Sequence, residues 1–506
     1  MVSLRTGFDT GYLTNLIGHQ RAVVIGNCAK ELSVGNRMAW AQKLIEEKVT
    51  NKAILAGVIA LALLFFGVAV SRILFPYDSG HYEGHVWAPA KLTAEGVNPY
   101  ARSRAEQPPY VMAPYGPLYY LLIGIGLNQF GDHFWWGRSI SVAATALAVF
   151  CIGAITRRAT GDRCATILAV VCFLSLTPVH AWLGVQKPDF VALGLTMLGI
   201  TVALGDSSPN ASSALLVATL FVAGVLCRQT AIVPIAIVAH WYWRNGFYCA
   251  LAWYGAGFVG LLCLSIWYLN STSAGGYIWQ NFVLASQVDK SLAIMWGQVQ
   301  KLVLAPSVIV TVAALAWLVH NRLGRRLDDR SKRLPEDGAS LKVRRHDHVL
   351  VQEIGLFLAA SASLSLVTCS RMGANINYWL EPCAAVSILV ALLWAGEAAR
   401  TSSAWTRRYF GLVVLLLFTG MFSLARNANG ERYRWQSRPY LEEIVGTLAA
   451  LPDEGPCFSV YPDLVSAAHK AYYFNDYCQY DGRSPLHQKM FADIQQAHGF
   501  SAVITH

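Results

Sequence analysis

Long apolar runs separated by short polar segments are the dominant pattern along the chain. The first run covers residues 53–75, and later runs are centred near positions 148, 172, 197, 220, 236, 258, 310, 358, 388 and 417. Runs of roughly 18 residues are long enough, as helices, to cross a hydrocarbon core about 30 Å thick. The pattern therefore predicts a mostly α-helical, polytopic membrane bundle of about 11 spans.

Composition supports a membrane protein and argues against a nucleic-acid-binding protein. Hydrophobic residues make up 55% of the chain and charged residues only 14%, whereas soluble proteins carry about 25% charged residues. The net charge of +10 would suggest a nucleic-acid partner in a soluble protein. Here Lys and Arg gather in short loops between apolar runs, so the charge is topological and no nucleic acid is expected.

Residues 117–131, PLYYLLIGIGLNQFG, form a shorter apolar run that starts with proline. As a helix it would rise only about 22 Å, so it is predicted to be a juxtamembrane helix rather than a span. The basic segments then fall on one face, and these are 1–52, 156–163, 243–246, 321–348 and 400–408. The positive-inside rule places the N-terminus in the cytoplasm and the C-terminus outside.

This topology predicts three parts: a cytoplasmic segment 1–52, a transmembrane domain 53–426 with a long outer loop 76–137, and an extracytoplasmic domain 427–506. The tail reads as a small α/β domain, with CFSVY and SAVIT as strands and helices between them. Cys457 and Cys478 both lie in this tail, and the sequence allows either a disulfide between them or two free thiols.

A polar cluster follows the first span at the start of the outer loop. It contains Asp78 and Glu83, with His81 and Tyr82 between them. A carboxylate partly desolvated at the mouth of a membrane helix can act as a general base. Binding of a divalent metal by Asp78 with His or Glu partners is a second reading, and a solvated polar loop is a third.

Other outer segments carry groups that complement these carboxylates. They are Arg138, Lys187, Asp189, Arg228, Arg371, Asn377 and Tyr378. Cations at outward loop ends are the minority case under the positive-inside rule, and singly each would be an interfacial anchor. Several cations that share one face with carboxylates indicate instead an anionic substrate headgroup such as a phosphate.

A series of short motifs occurs in a fixed order on this face. They are Asp78 with Tyr82, PYGPLYYLL (114–122), QFGDHFWWGRS (129–139), KPD (187–189), RQT (228–230) and NYWLEP (377–382). In this order they resemble the GT-C glycosyltransferases that use polyprenyl-phosphate sugars, including protein mannosyltransferases and lipid A aminoarabinose transferases. The resemblance covers most of residues 53–396.

The resemblance implies an integral protein of the bacterial inner or plasma membrane. It would move a sugar, with inversion, from a polyprenyl-phosphate donor to a glycan, lipid or protein acceptor outside the membrane. Asp78 would be the base or a metal contact, and Glu83 is the candidate for a second acidic role. Asp189 would complete the acidic site, so that a divalent metal on Asp78 and Asp189 is the one cofactor left open.

The remaining site residues follow from the same resemblance. Lys187, Arg228 and Arg371 would be phosphate partners, and His81, Tyr82, Arg138, Asn377 and Tyr378 complete the substrate-binding set. The alternative function is a secondary transporter of a polar or anionic solute. A transporter predicts two repeated halves and ionisable residues at mid-depth, whereas this chain places them at helix ends.

Overall fold

Helices make up most of the described chain in the computed structural model. The structure describes residues 34–79, 83–107, 109–288, 290–331, 338–371, 374–398, 404–451, 457–459, 462–468 and 502–504. The chain divides into two units, residues 1–59 and 60–506. In the first unit, the described residues form the N-terminal part of helix α1 (Val34–Leu74). Every other element belongs to the second unit.

The segment that follows α1 contains three helices before the next long one. They are α2 (Gly84–Ala94), α3 (Arg102–Glu106) and α4 (Pro117–Phe130). Helix α4 begins with its proline, which has no N–H to leave unpaired at a helix start, and packs against α2. The helix predicted at 117–131 is therefore present, and it is 14 residues long, or about 21 Å.

Apolar helices of different lengths follow one another through the middle of the chain. They are α5 (Trp135–Thr160), α6 (Arg163–Ser175), α7 (Thr177–Trp182), α8 (Asp189–Gly205), α9 (Ala211–Cys227), α10 (Val233–Arg244) and α11 (Tyr248–Thr272). Gly161, at a φ of 65°, ends α5 in a left-handed conformation that glycine adopts readily. The Asp162 side chain then accepts hydrogen bonds from the first turn of α6.

The last part of the bundle begins with a distorted segment. Helix α12 (Gly276–Ile278) continues into a π-helix (Trp279–Leu284). After it come α13 (Leu292–Val303), α14 (Pro306–Ser331), α15 (Gly338–Thr368), a 3-10 turn (Ile376–Trp379), α16 (Leu380–Ala398) and α17 (Ala404–Ala450).

The helices of the second unit pack against one another along the chain and across it. Helix α5 packs against α8 and α6, α8 against α9, and α9 against α11. Helix α16 packs against α15, α6 and α5, and its residues Ala384, Ala385, Ile388, Val390 and Ala391 are completely buried. A helix that is apolar all round is typical of the interior of such a bundle.

The predicted fold class is confirmed: the protein is a mostly helical, integral membrane protein. Within the described residues, six helices are long and apolar enough to cross a membrane, or seven if α13 and α14, bent by 79°, count together. The shorter apolar helices are α6, α8 and α9. All the predicted span centres lie on helices, while the number of about 11 spans stays a prediction.

The C-terminal part is described only in pieces. Helix α17 runs without interruption through position 427, the predicted start of a separate domain, to Ala450. Strand β1 (Cys457–Ser459) pairs in parallel with β2 (Ala502–Ile504), at the two places where strands are predicted. Helix α18 (Pro462–Ala467) contacts α2. Cys478 lies outside the described residues, so its pairing with Cys457 stays open.

Candidate functional site

Asp78 lies in the loop between α1 and α2, where its carboxylate meets the start of a helix. Its Oδ2 accepts a hydrogen bond of 2.7 Å from the backbone N–H of Gly84, the first residue of α2. The partial positive charge of a helix N-terminus favours an ionised carboxylate there. Asp78 is 9% exposed, so its carboxylate is largely buried beside this helix start. His81 and Tyr82, predicted beside it, lie outside the described residues.

Glu83 is the centre of a fully buried ion pair with Arg138. The Arg138 Nη2 donates to Glu83 Oε2 at 2.5 Å and Nε donates to Oε1 at 3.0 Å. The backbone N–H groups of Ser79 and Gln186 also donate to the carboxylate, at 2.9 and 2.6 Å. Both side chains are 0% exposed. Burial would raise the pKa of Glu83, but Arg138 and these hydrogen bonds together hold it below its ordinary value.

Arg138 uses its remaining N–H groups to fix the same loop. It donates to the Ser79 hydroxyl and to the backbone carbonyls of Arg72, Phe75 and Tyr77. An arginine directed at several carbonyls in a buried position determines the path of the backbone around it. The Glu83–Arg138 pair therefore joins the end of α1, the start of α2 and the start of α5.

A second buried pair positions the loop between α7 and α8. Arg72 pairs with Glu431 of α17 at 2.8 Å, and its Nη1 donates to the carbonyls of His180, Ala181 and Leu183. Three residues further on, Gln186 donates its N–H to Glu83. Both ends of this loop are therefore fixed, and Lys187 and Asp189 follow directly.

Asp189, the first residue of α8, pairs with Arg228 at the end of α9. The Arg228 Nη1 donates to Asp189 Oδ1. Asn377 Nδ2 donates to the same oxygen at 2.7 Å, and Trp182 Nε1 donates to Oδ2 at 3.2 Å. The Arg228 guanidinium lies over the Tyr378 ring, 4.5 Å from its centroid. Four of the predicted site residues thus converge from α8, α9 and the 3-10 turn.

Lys187 lies next to this group and pairs with Tyr115. Its Nζ donates to the Tyr115 hydroxyl at 3.1 Å and lies 5.1 Å from the centroid of that ring. The Tyr115 backbone is fixed in turn, because its carbonyl accepts from the Tyr100 hydroxyl and its N–H donates to the Tyr120 hydroxyl. A Cβ on Gly116 would lie 2.0 Å from the carbonyl oxygen of Leu226, so only glycine permits this approach.

The π-helix supports the same region through a buried polar network. Gln280 accepts from the N–H of Ala113 at 2.8 Å, and Asn281 accepts from Gln229, which also donates to the carbonyl of Pro114. A π-helix re-aims side chains and is frequent at functional sites. This network brings the segment that contains Tyr115 next to the segment that contains Arg228.

A cavity opens beside the Asp189–Arg228 pair, between α8, α9, α15 and α16. It is a small cleft that is partly open to solvent. Its polar lining includes Asp189, Arg228, Asn377 and Glu381 together with hydroxyl side chains of α15. A concave site with a few convergent polar groups is the usual form of a small-molecule site.

Two aspects of the site differ from the set chosen on sequence. Arg371 lies near Tyr378, close enough to act on its hydroxyl electrostatically, and it forms a backbone bridge with Lys290. Tyr115 and Glu381 were not chosen as site residues, although both belong to motifs that carried the resemblance. A carboxylate within an apolar helix is costly in a membrane, and Glu381 could have been found by that signal.

A divalent metal would need several oxygen, nitrogen or sulfur ligands close together. Within the described residues, no group of three or more His, Cys, Asp or Glu side chains could hold a metal ion. Asp189 already accepts from Arg228, Asn377 and Trp182. A divalent cation at Asp189 would have to displace the Arg228 charge, so this residue does not fit the role of metal ligand.

Comparison with solved structures places the fold. The chain is similar to ArnT from Cupriavidus metallidurans bound to undecaprenyl phosphate, with 12% identity and a TM-score of 0.59 over 87% of this chain and 88% of that one. The apo state of the same protein matches at 12% identity and a TM-score of 0.60, over 88% and 89%. No family model matches the sequence, and no curated protein matches it. The resemblance drawn from the motifs is thus confirmed at the level of the fold.

Proposed function

We propose that this protein is a glycosyltransferase that moves a sugar from a polyprenyl-phosphate donor to an acceptor. The observation that carries the proposal is that Arg228 lies over the Tyr378 ring and lines a polar cavity, while Lys187, two residues before Asp189, lies over the Tyr115 ring. The ArnT fold supports it, since one of the solved ArnT structures is bound to undecaprenyl phosphate. The acceptor, whether glycan, lipid or protein, stays a prediction.

Lys187 and Arg228 would bind the phosphate of the donor. Arg228 has five N–H donors and gives one nitrogen, Nη1, to Asp189. Lys187 adds a second positive charge beside it. Because the sugar–phosphate bond is already activated, stabilisation of the charge that develops on the departing phosphate is the main catalytic need. The polyprenyl chain would lie among membrane lipids and the apolar spans.

Asp78 would act as the general base. In this mechanism the acceptor oxygen attacks the anomeric carbon on the face opposite the phosphate, while the bond from that carbon to the phosphate oxygen breaks. The bonding electrons leave with the polyprenyl phosphate, and the acceptor proton moves to Asp78. The attack inverts the anomeric centre. Asp78 suits this role better than Glu83, because the start of α2 fixes one of its oxygens and it keeps an exposed fraction of 9%, whereas Glu83 is completely buried.

Glu83, predicted as a second catalytic carboxylate, suits a positioning role better. Each of its oxygens accepts from Arg138 and from one backbone N–H, and Arg138 holds its pKa low. A carboxylate in that state is a weak proton acceptor. We therefore propose that Glu83 and Arg138 position the loop that carries Asp78, with Arg138 outside the substrate-binding set.

The membrane orientation is part of the proposal. The positive-inside rule, applied to the basic loops, supports a site on the outer face of a bacterial inner membrane, with a cytoplasmic N-terminus and an extracytoplasmic C-terminus. Both candidate carboxylates and both cations lie in segments assigned to that face. A lipid-linked donor that is presented on the outer leaflet would reach them without a nucleotide site.

The Asp78→Asn variant tests the mechanism, with Asp162→Asn as its matched control. Both aspartates accept hydrogen bonds at a helix N-terminus, and asparagine preserves such a bond in each. Purified protein in liposomes would receive labelled undecaprenyl-phosphate sugars and an envelope extract as acceptor source. Release of undecaprenyl phosphate should fall about 100-fold or more in Asp78→Asn and stay normal in Asp162→Asn.

Near-normal transfer by Asp78→Asn would remove Asp78 from the role of base. If the wild-type protein leaves every donor intact while it moves a polar solute across the liposome, the transporter alternative holds instead. Equal losses in the two variants would trace the effect to helix stability rather than to proton transfer.

A further inference from the structure

The cavity beside Arg228 contains hydrogen-bond acceptors that the phosphate site does not use. Asn377 is 8% exposed and lines the cavity. Its Nδ2 donates to Asp189 Oδ1 at 2.7 Å, which fixes the amide orientation because a carboxylate only accepts. The opposite atom, Asn377 Oδ1, is buried and has no hydrogen-bond partner among the described residues. A buried acceptor in this state indicates a missing donor.

Glu381 is a second acceptor on the same cavity. It lies in the first turn of α16, four residues after Asn377, and lines the cavity with it. No hydrogen bond or ion pair joins Glu381 to another residue in the described part of the chain, although it lies near enough to Arg228 to act on it electrostatically. Arg228 is itself paired with Asp189.

The hydrogen-bonding groups of the lining decide which part of a donor this cavity can hold. The lining contains two carboxyl groups, Asp189 and Glu381, and one guanidinium, Arg228, which is already paired with Asp189. A phosphate is an anion that offers acceptors, and it would face Asn377 Oδ1 and Glu381 without a hydrogen to share. A sugar offers hydroxyl or ammonium hydrogens, which match both acceptors.

We infer that this cavity holds the sugar of the donor, and that Glu381 and Asn377 Oδ1 accept hydrogen bonds from its hydroxyl or ammonium groups. Glu381 is then a specificity-determining residue. The phosphate lies on the opposite side of Arg228, towards Lys187 and Tyr115. This inference rests on the proposed function, and it adds the direction in which the donor lies in the site.

The test compares Glu381→Gln and Glu381→Ala with Glu442→Gln, which removes an exposed carboxylate from α17. Two probes are used: undecaprenyl phosphate alone, and undecaprenyl phosphate that carries a sugar accepted by the wild-type protein. Binding of undecaprenyl phosphate should be unchanged in all variants. The kcat/KM for the sugar-bearing donor should fall about 10- to 100-fold in Glu381→Ala, with Glu442→Gln unaffected.

Deoxy analogues of the accepted donor distinguish a contact between Glu381 and the sugar from a purely structural role of Glu381. For the wild type, one deoxy analogue should have a much lower kcat/KM than its parent donor. For Glu381→Ala, the same analogue and its parent should have equal kcat/KM, because the variant has already lost the contact that the missing hydroxyl makes. Glu381→Gln keeps an acceptor oxygen without the charge. It should therefore retain most activity if the contact is a hydroxyl, and lose nearly as much as Glu381→Ala if it is an ammonium.

Two results would overturn the inference. In one, the Glu381 variants weaken the binding of undecaprenyl phosphate as much as that of the donor. In the other, every deoxy analogue loses the same factor in wild type and Glu381→Ala. If the wild-type protein releases undecaprenyl phosphate from no sugar lipid at all, the proposed function falls as well. If the wild-type protein transfers the sugar and the Glu381 variants transfer it equally well, this inference is wrong while the proposed function stands.

Discussion

Two buried arginine–carboxylate pairs in this protein differ in what surrounds them. In Glu83–Arg138, both side chains are completely buried, and each oxygen of the carboxylate accepts from the arginine and from a backbone N–H. In Asp189–Arg228, the arginine side chain is 11% exposed, lies over the Tyr378 ring and lines a cavity. The first pair is matched entirely by protein atoms, and the second faces space for a ligand.

This difference shows that burial of charge alone does not identify a catalytic group. Both pairs bring a carboxylate and a guanidinium out of water, which is costly unless every polar atom is matched. Where the protein supplies all the partners, the pair determines backbone position. Beside the second pair, the buried acceptor Asn377 Oδ1 has no donor among the described residues. Burial of an unmatched polar atom is costly, so this atom indicates that a ligand supplies the donor.

The largest expected effect is the loss of stability in Arg138→Ala. The Glu83 carboxylate would remain buried without its cation, which costs about 3–5 kcal/mol. Thermal unfolding of the detergent-purified protein measures the change, with Arg438→Ala, from an exposed pair, as control. A melting temperature as high as that of the control would show that the Glu83–Arg138 pair does not hold the loop.

The pH dependence of the same variant sharpens this test. Arg138 holds the pKa of Glu83 below its ordinary value of 4.5, so the pair's stabilisation is fully present above that value. It is lost as the pH falls through the lower, folded-state pKa. The acid-induced loss should therefore be smaller in Arg138→Ala than in the wild type.

An intermediate effect is expected for Arg228→Lys, and on activity rather than stability. Lysine keeps a charge near Asp189 but loses the planar fork and the contact with the Tyr378 ring. Transfer should fall about 100-fold, while the unfolding midpoint moves much less than in Arg138→Ala. If Arg228→Lys unfolds the protein and the folded fraction retains normal transfer, Arg228 serves stability rather than the reaction, and the proposed difference between the two pairs is wrong.

The smallest effect is expected for Glu442→Gln. Arg438 and Glu442 form an exposed pair one turn apart on α17, with side chains 44% and 47% exposed. Such pairs contribute about 0.3–0.5 kcal/mol. Stability and transfer should both stay close to wild type. A clear loss of transfer would indicate that this part of α17 takes part in the reaction, which neither buried pair predicts.

Much of the architecture could be predicted because it depends on local patterns. Every predicted span centre lies on a helix, and the short run at 117–131 forms the helix α4. Apolar runs form helices in a membrane, where each backbone N–H must find its carbonyl within the same segment. The break between α13 and α14 falls just before Pro306, which is a local signal for the end of one helix and the start of another, but the angle of 79° cannot be read from that signal.

The sequence predicted which residues form the candidate site, but not what each of them does. Lys187, Asp189, Arg228 and Asn377 were chosen from separate loops on one predicted face, and they converge in the folded chain. Glu83 looked like a second reactive carboxylate, because nothing in the sequence shows that Arg138, 55 residues later, approaches it. Tyr115 lies in the PYGPLYYLL motif, and nothing in the sequence shows that its ring contacts Lys187.

The sequence by itself determined the membrane class, the helical elements and the set of polar segments that share one face. These follow from hydrophobicity and charge, which act over a few residues or across one bilayer. Only the tertiary structure decided which carboxylate each arginine meets and which acceptors remain without a donor. Those outcomes depend on distances between side chains far apart in the chain, and they distinguish the Glu83–Arg138 pair, which holds a loop, from the Asp189–Arg228 pair, which faces the cavity.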